Sequence, residues 1–90
     1  MELTEADPKG LIRESYRIDG ITAGECRSVF MDWALSLPVG APFKAALAVL
    51  ITTYADSAPD HPMSRVLHDG MAAPEAEARR KGGRAGRVAG

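Results

Sequence analysis

Cys26, His61 and His68 carry the side chains with the most potential for catalysis or metal binding. The sequence predicts that Cys26 lies in the first turn of a helix, where the helix dipole lowers the pKa of a thiol. Cys26 also lies on the apolar stripe of that helix, and buried free cysteines commonly act as small hydrophobic residues. We therefore interpret it as a structural residue rather than a nucleophile.

The two histidines lie seven positions apart and are flanked by Asp60 and Asp69. Helical metal sites use spacings of three or four residues, and Pro62 separates His61 from the helix that carries His68. We interpret His61 as a loop or cap residue and His68 as a solvated residue near a helix C-terminus. The sequence thus predicts no metal site, no cofactor and no catalytic residue.

The C-terminal segment has the composition of a polyanion-binding sequence. Residues 79–90 hold five basic residues and no acidic one, whereas residues 1–78 carry a net charge of −6. A flexible segment rich in Arg and Gly binds phosphate groups electrostatically, and the lack of aromatic residues between the cations favours weak, non-specific binding of nucleic acid. The candidate contacts are Arg79, Arg80, Lys81, Arg84 and Arg87. We favour instead the interpretation of a solubilising tail that folds back loosely on the acidic body.

Four helices are predicted to position these groups, over approximately residues 8–19, 23–37, 42–55 and 62–69. Asp7 and Pro8 are typical of a helix N-cap and a first helical position. Thr22 and Glu25 fit a capping box at the start of the second helix. Period-two alternation of apolar residues, which predicts strands, is absent. The predicted fold class is therefore all-α, a small bundle of three to four helices.

Residues 7–71 are expected to form one helical domain. The chain has 90 residues, of which 46% are hydrophobic and 26% charged, and this composition excludes a wholly disordered protein or a disulfide scaffold. Residues 1–6 are predicted to form a flexible leader. Residues 72–90 contain no aromatic residue and one large aliphatic residue, Val88, so they are predicted to form a disordered basic tail.

The third predicted helix, residues 42–55, is apolar around nearly its whole circumference. Such a helix is surrounded by other elements, so it lies at the centre of the bundle or packs against a second chain. A single core of about 65 residues rarely supplies more than ~3–5 kcal/mol, which favours a homodimer. Trp33 and Leu47 are at the same time candidate core residues. The candidate interaction surface on the second and third helices comprises Met31, Trp33, Leu35, Ala45, Ala48 and Val49.

The sequence favours a non-catalytic protein-interaction or adaptor module that self-associates through the second and third helices. One alternative is an accessory nucleic-acid-associated protein that uses residues 79–87, and another is a small thiol- or metal-dependent enzyme. A helix-turn-helix is less favoured, because its second helix presents Glu25, Asp32 and Trp33 where a recognition helix presents Arg, Lys, Asn or Gln.

The cellular location is predicted from the length of the apolar segments and from the charges of the N-terminal residues. The longest apolar stretch, residues 45–51, is much shorter than the roughly 20 residues that span a membrane. Three of the first seven residues are acidic, and the segment lacks the basic-then-apolar order of a secretory signal. We expect a cytoplasmic protein that contacts no membrane.

Overall fold

The computed structural model describes residues 1–74, which form helices and no strand. The elements are α1 (Leu3–Ala6), α2 (Leu11–Ser15), α3 (Ala23–Ser36), α4 (Phe43–Leu50), a π-helical segment (Ile51–Ala55) that continues α4, and α5 (Pro62–Ala72). The all-α prediction is confirmed. The described part of the chain has five α-helices, rather than three or four, because a short helix forms in the expected leader.

The N-terminal residues differ from the predicted flexible leader. The Glu5 carboxylate accepts a hydrogen bond of 2.8 Å from the backbone N–H of Glu2 at the N-cap of α1. Ala6 is fully buried, and its carbonyl oxygen accepts a hydrogen bond of 2.6 Å from the indole Nε1 of Trp33. The partner of Ala6 is distant in sequence, so local composition does not reveal that this segment packs against the core.

The first long predicted helix, residues 8–19, is reduced to the short helix α2. Gly10 stands at the N-cap of α2 with φ of +67°, a left-handed conformation that glycine adopts without steric cost. Asp7 still caps a helix, because its buried carboxylate accepts hydrogen bonds from the backbone N–H groups of Ile12 (3.3 Å) and Arg13 (3.0 Å). The capping residue was predicted, but it acts across an intervening loop instead of directly preceding the helix.

Helix α3 begins where its capping box predicts. Thr22 Oγ1 accepts a hydrogen bond from the backbone N–H of Glu25 (3.1 Å), and the Glu25 carboxylate accepts one from the backbone N–H of Thr22 (2.9 Å). The apolar stripe of α3 faces the core, where it buries Cys26, Phe30, Trp33 and Ala34. The α3 start and stripe therefore follow from local sequence.

One face of helix α4 is buried in the interior of the bundle, and the opposite face is not. The buried face contains Phe43, Ala46, Leu47 and Leu50, and the predicted core role of Leu47 is confirmed. The Lys44 ammonium group donates hydrogen bonds to the backbone carbonyls of two residues at the C-terminal end of α5, Met71 and Ala73. Helix α4 is thus buried on one side and attached to α5 by its single cation.

Helix α5 extends past its predicted end near residue 69 to Ala72. Gly70 is a buried residue within α5. A Cβ atom at Gly70 would lie 2.8 Å from Cζ of Phe30, which is closer than van der Waals contact allows. Gly70 therefore lets α5 approach α3. The predicted disordered tail begins at residue 72, and its residues 75–90 lie outside the described residues.

Candidate functional site

A groove of about 730 Å³ separates the exposed edges of α3 and α5. Its larger apolar side chains are buried or half-buried, whereas Ala23, Pro59 and its arginines and aspartates are exposed. We use the name α3–α5 groove for this cavity. The apolar lining includes Phe30, Met31, Val66, Gly70 and Ala73. The polar lining includes Arg27, Ser28, Asp60, His61, Arg65 and Asp69.

His61 is both a lining residue of the groove and the N-cap of α5. Its Nδ1 accepts a hydrogen bond of 3.0 Å from the backbone N–H of Met63. A neutral imidazole that accepts at Nδ1 carries its proton on Nε2, so this hydrogen bond fixes the tautomer. Of the two roles predicted for His61, loop or cap, the structure shows the cap. The Nε2–H group is left as a donor of this groove residue.

Tyr16 supports His61 from the interior. The two rings lie 4.3 Å apart, and the Tyr16 ring stacks on Tyr54 at 5.2 Å. The Ser64 hydroxyl donates to the Ala58 carbonyl (2.7 Å), which leaves its oxygen to accept from the Tyr16 hydroxyl (2.7 Å). Burial is the main cause that raises the pKa of the Tyr16 phenol. This cluster is a satisfied structural network.

Cys26 has the properties of a structural residue. Its side chain is fully buried, and burial raises the pKa of the thiol, with a further rise from the nearby Glu25 carboxylate and a smaller opposing effect from Arg27. A raised pKa reduces the thiolate fraction on which nucleophilic and metal-binding chemistry depends. Within residues 1–74, no group of three or more His, Cys, Asp and Glu residues is arranged to hold a metal ion, and His68 is exposed on α5.

Two arginines extend from opposite walls of the groove, Arg27 from α3 and Arg65 from α5. Among the described residues, neither guanidinium forms an ion pair, since the ion pairs found there join Glu14 to Arg13 and Arg17. A Cβ atom at Gly24 would lie 3.8 Å from an Nη atom of Arg27, so this guanidinium lies beside the first turn of α3. Both guanidinium groups have hydrogen-bond donors available for a ligand.

The predicted interaction surface is divided among three environments. Trp33 is fully buried, so its assignment to a surface is wrong and its core role is confirmed. Its indole hydrogen bond to α1 and its contacts of 5.4 Å with the Phe30 and Phe43 rings account for this burial. Met31 lines the α3–α5 groove, and Leu35 is 65% exposed.

The remaining members of the predicted surface lie on the outer face of α4. Ala45 and Ala48 are exposed and Val49 is half-buried. Ala48 and Val49, together with Thr52 and Thr53 of the π-helical segment, line a shallow hollow of about 290 Å³. The predicted polyanion contacts Arg79, Arg80, Lys81, Arg84 and Arg87 lie outside the described residues.

The α3–α5 groove was not predicted from the sequence. Arg27 and Arg65 are separated by 38 positions, and neither belongs to a recognisable motif. The local signal nearest to the groove is Gly70, a glycine that lowers the helix propensity of α5 and by itself does not indicate a cavity. Only the packing of α5 against α3 brings these residues together.

None of the helices in the described part of the chain is both long and apolar enough to cross a membrane. Comparison with protein-family models, with curated proteins and with solved structures finds no match to this chain.

Proposed function

We propose that this protein is a non-catalytic protein-interaction module that self-associates as a homodimer through α3 and α4. The supporting observation is the outer face of α4 and its π-helical continuation. Ala45, Ala48, Val49 and Thr52 recur at three- and four-residue steps and thus form one stripe. The stripe carries no charge and is exposed, apart from the half-buried Val49.

The small side chains of this stripe suit a two-fold helix–helix contact. In a homodimer with two-fold symmetry, the same surface of each subunit meets its copy. Alanine and threonine let two helix axes approach to the short end of the usual 8–10 Å range. Removing Ala48 and Val49 from water in both subunits supplies the hydrophobic contribution to association.

Leu35 is the residue of α3 that the second chain is proposed to cover. Its side chain is 65% exposed, on the side of α3 away from the buried apolar stripe. Full burial of a leucine side chain is worth about 1.5–3 kcal/mol. A second chain that covers Leu35 therefore stabilises the dimer.

The non-catalytic part of the proposal is supported by the state of the residues that the sequence offers for chemistry. Cys26 is inaccessible and its thiol pKa is raised, and it does not line either of the two cavities described above. His61 uses Nδ1 to cap α5. Both side chains thus have structural roles.

Native molar mass, measured by light scattering over a range of protein concentrations, tests the proposal. We expect twice the chain mass, with little dependence on salt, because the interface is apolar. Ala48→Glu is expected to produce a monomer, since it brings two carboxylates together across the two-fold axis. Leu35→Glu is expected to weaken the dimer, and a chain truncated after Pro74 is expected to dimerise like the full chain.

Ala23→Glu is the matched control, because Ala23 is also an exposed helical alanine but lies in the first turn of α3. It is expected to leave the dimer intact. A monomer at all concentrations would refute self-association. A dimer that persists in both Ala48→Glu and Leu35→Glu would refute the proposed interface.

A further inference from the structure

The α3–α5 groove has the size and the polarity of a small-molecule site. Its volume of about 730 Å³ lies within the range of roughly 300–1,000 Å³ typical of such sites. Along α3 the lining changes from Arg27 and Ser28 to Phe30 and Met31 within one helical turn. The groove therefore has a polar end and an apolar end, which is the pattern of a site for an amphipathic molecule.

The polar end has cationic donors on both walls. Arg27 and Arg65 come from different helices, and neither is in an ion pair with a described residue. A guanidinium group presents a planar fork of N–H donors that matches a carboxylate, and such charge-assisted hydrogen bonds are stronger than neutral ones. The Nε2–H group of His61 adds a donor at the same end of α5.

The two acidic residues of the lining limit the charge of the ligand. Asp69 lies four positions after Arg65, about one turn further along α5, and Asp60 lies in the turn that precedes the N-cap His61. Both carboxylates are exposed and repel anions. A single carboxylate placed between the two arginines pairs with both guanidinium groups, whereas the equal number of arginines and aspartates in the lining disfavours a second negative charge.

The groove is long enough for a molecule that carries a hydrocarbon chain. Ala23 and Met31, which mark the whole extent of its lining along α3 with Arg27 between them, are eight residues apart and thus about 12 Å apart in an α-helix. At the apolar end, Phe30, Val66 and Gly70 are buried lining residues. This surface excludes a second charged group and favours methylene or aromatic carbon.

We propose that the α3–α5 groove binds an amphipathic monocarboxylate, with the carboxylate between Arg27 and Arg65 and the apolar chain against Phe30, Met31 and Val66. This site is separate from the outer face of α4, and the proposal does not depend on self-association.

Isothermal titration with decanoate, kept below its micelle-forming concentration, tests the site on the full chain. Decanol and decyltrimethylammonium have the same chain with a neutral or a positive head group. We expect saturable binding of decanoate at one site per chain, at least tenfold tighter than either control ligand. No binding of decanoate, or equal affinity for decanoate and decanol, would overturn the proposal.

Arg27→Gln and Arg65→Gln are each expected to weaken decanoate binding by about tenfold, because each removes one charge-assisted interaction. Arg17→Gln is the control, since Arg17 is an exposed arginine outside the groove. Equal weakening by all three substitutions would mean non-specific attraction and would refute the site. Retention of decanoate binding by the Ala48→Glu variant would support a site that is independent of the proposed dimer, and its loss there would refute that independence.

Discussion

The two sides of α3 differ in how they are packed. On the closed side, the indole of Trp33 extends to α1, donates to Ala6 and packs between the Phe30 and Phe43 rings. On the open side, α5 touches α3 where Gly70 meets Phe30, and the α3–α5 groove lies beside this contact. On its closed side α3 is packed by the large Trp33 side chain. On its open side α3 contacts Gly70 of α5, next to the α3–α5 groove.

The two sides of α3 are expected to serve different purposes, the closed side for folding stability and the open side for ligand binding. The closed side buries a large aromatic area with its polar atom paired, which is the arrangement that contributes most to the stability of a small core. The open side has exposed arginines that make no ion pair among the described residues. Substitutions on the closed side are therefore expected to affect folding, and those at the rim of the groove to affect ligands.

Trp33→Ala is expected to have the largest effect. It removes the indole and leaves a cavity among aromatic residues, which costs about 3–5 kcal/mol in the free energy of unfolding. Urea unfolding followed by far-ultraviolet circular dichroism measures this, since the variant has no tryptophan to report fluorescence. Asp32→Ala, on the exposed surface of the same helix, is the control and is expected to stay within about 0.5 kcal/mol of the native protein. Similar losses of stability in both variants would contradict the stabilising role assigned to the buried Trp33.

Gly70→Ala and Gly24→Ala form a matched pair on the open side. A Cβ atom at Gly24 meets its nearest neighbour at 3.8 Å, so this variant is expected to gain up to ~1 kcal/mol from helix propensity. A Cβ atom at Gly70 would lie 2.8 Å from the Phe30 ring, which the neighbouring aromatic rings hold in place. Overpacking of this kind costs about 1–3 kcal/mol, so we expect Gly70→Ala to be the less stable variant by about that amount.

Thermal unfolding of the two glycine variants under identical conditions checks this difference. Equal stabilisation of both would mean that the Phe30 ring moves aside freely and that Gly70 does not define the contact between α3 and α5.

The elements that were predicted correctly are those whose partners lie within one or two turns in the sequence. The capping box of Thr22 and Glu25 fixes the start of α3, and the three- and four-residue spacing from Cys26 fixes its buried stripe. A cap was one of the two roles predicted for His61, and its hydrogen bond joins residues two positions apart. Local hydrogen bonds and helical periodicity contain enough information for these features.

The elements that were missed depend on contacts between distant residues. Ala6 is ordered by Trp33, which lies 27 positions later. Asp7 caps α2 across a loop whose geometry depends on the positive φ of Gly10. The groove was missed because it depends on the relative placement of α3 and α5, which is fixed by a glycine and a phenylalanine 40 positions apart.

Thr22→Ala is expected to have a smaller effect on the free energy of unfolding. Thr22 is the N-cap of α3, at the N-terminal end of the helix, and belongs to neither of its two sides. The substitution removes the acceptor for the Glu25 backbone N–H group and is expected to cost about 1 kcal/mol. Thr22→Ser keeps the hydroxyl and is expected to retain most of the stability. Chemical denaturation of the three proteins measures the difference, and an equal loss in Thr22→Ser would mean that the methyl group rather than the cap is responsible.

The smallest expected effect is a pH dependence that arises beside the groove. Burial raises the pKa of the Tyr16 phenol above its ordinary value of 10.0, so the folded protein holds this proton more tightly than the unfolded chain. The resulting stabilisation is fully present below about pH 10 and is lost as the pH rises through the folded-state value. Tyr16→Phe is therefore expected to reduce the fall in unfolding free energy at alkaline pH.

The buried thiol complicates this measurement, because burial also raises the pKa of Cys26 above 9.0 and contributes a loss of the same sign at lower pH. The comparison is therefore made in a Cys26→Ala background. Tyr16→Phe also lowers stability at neutral pH, since it removes the hydrogen bond to Ser64, so the slope against pH is the readout and not the stability itself. Trp33→Phe on the closed side, which changes no titrating group, is expected to keep the full alkaline slope. If it lost that slope and Tyr16→Phe kept it, the pH dependence would belong to the closed side of α3.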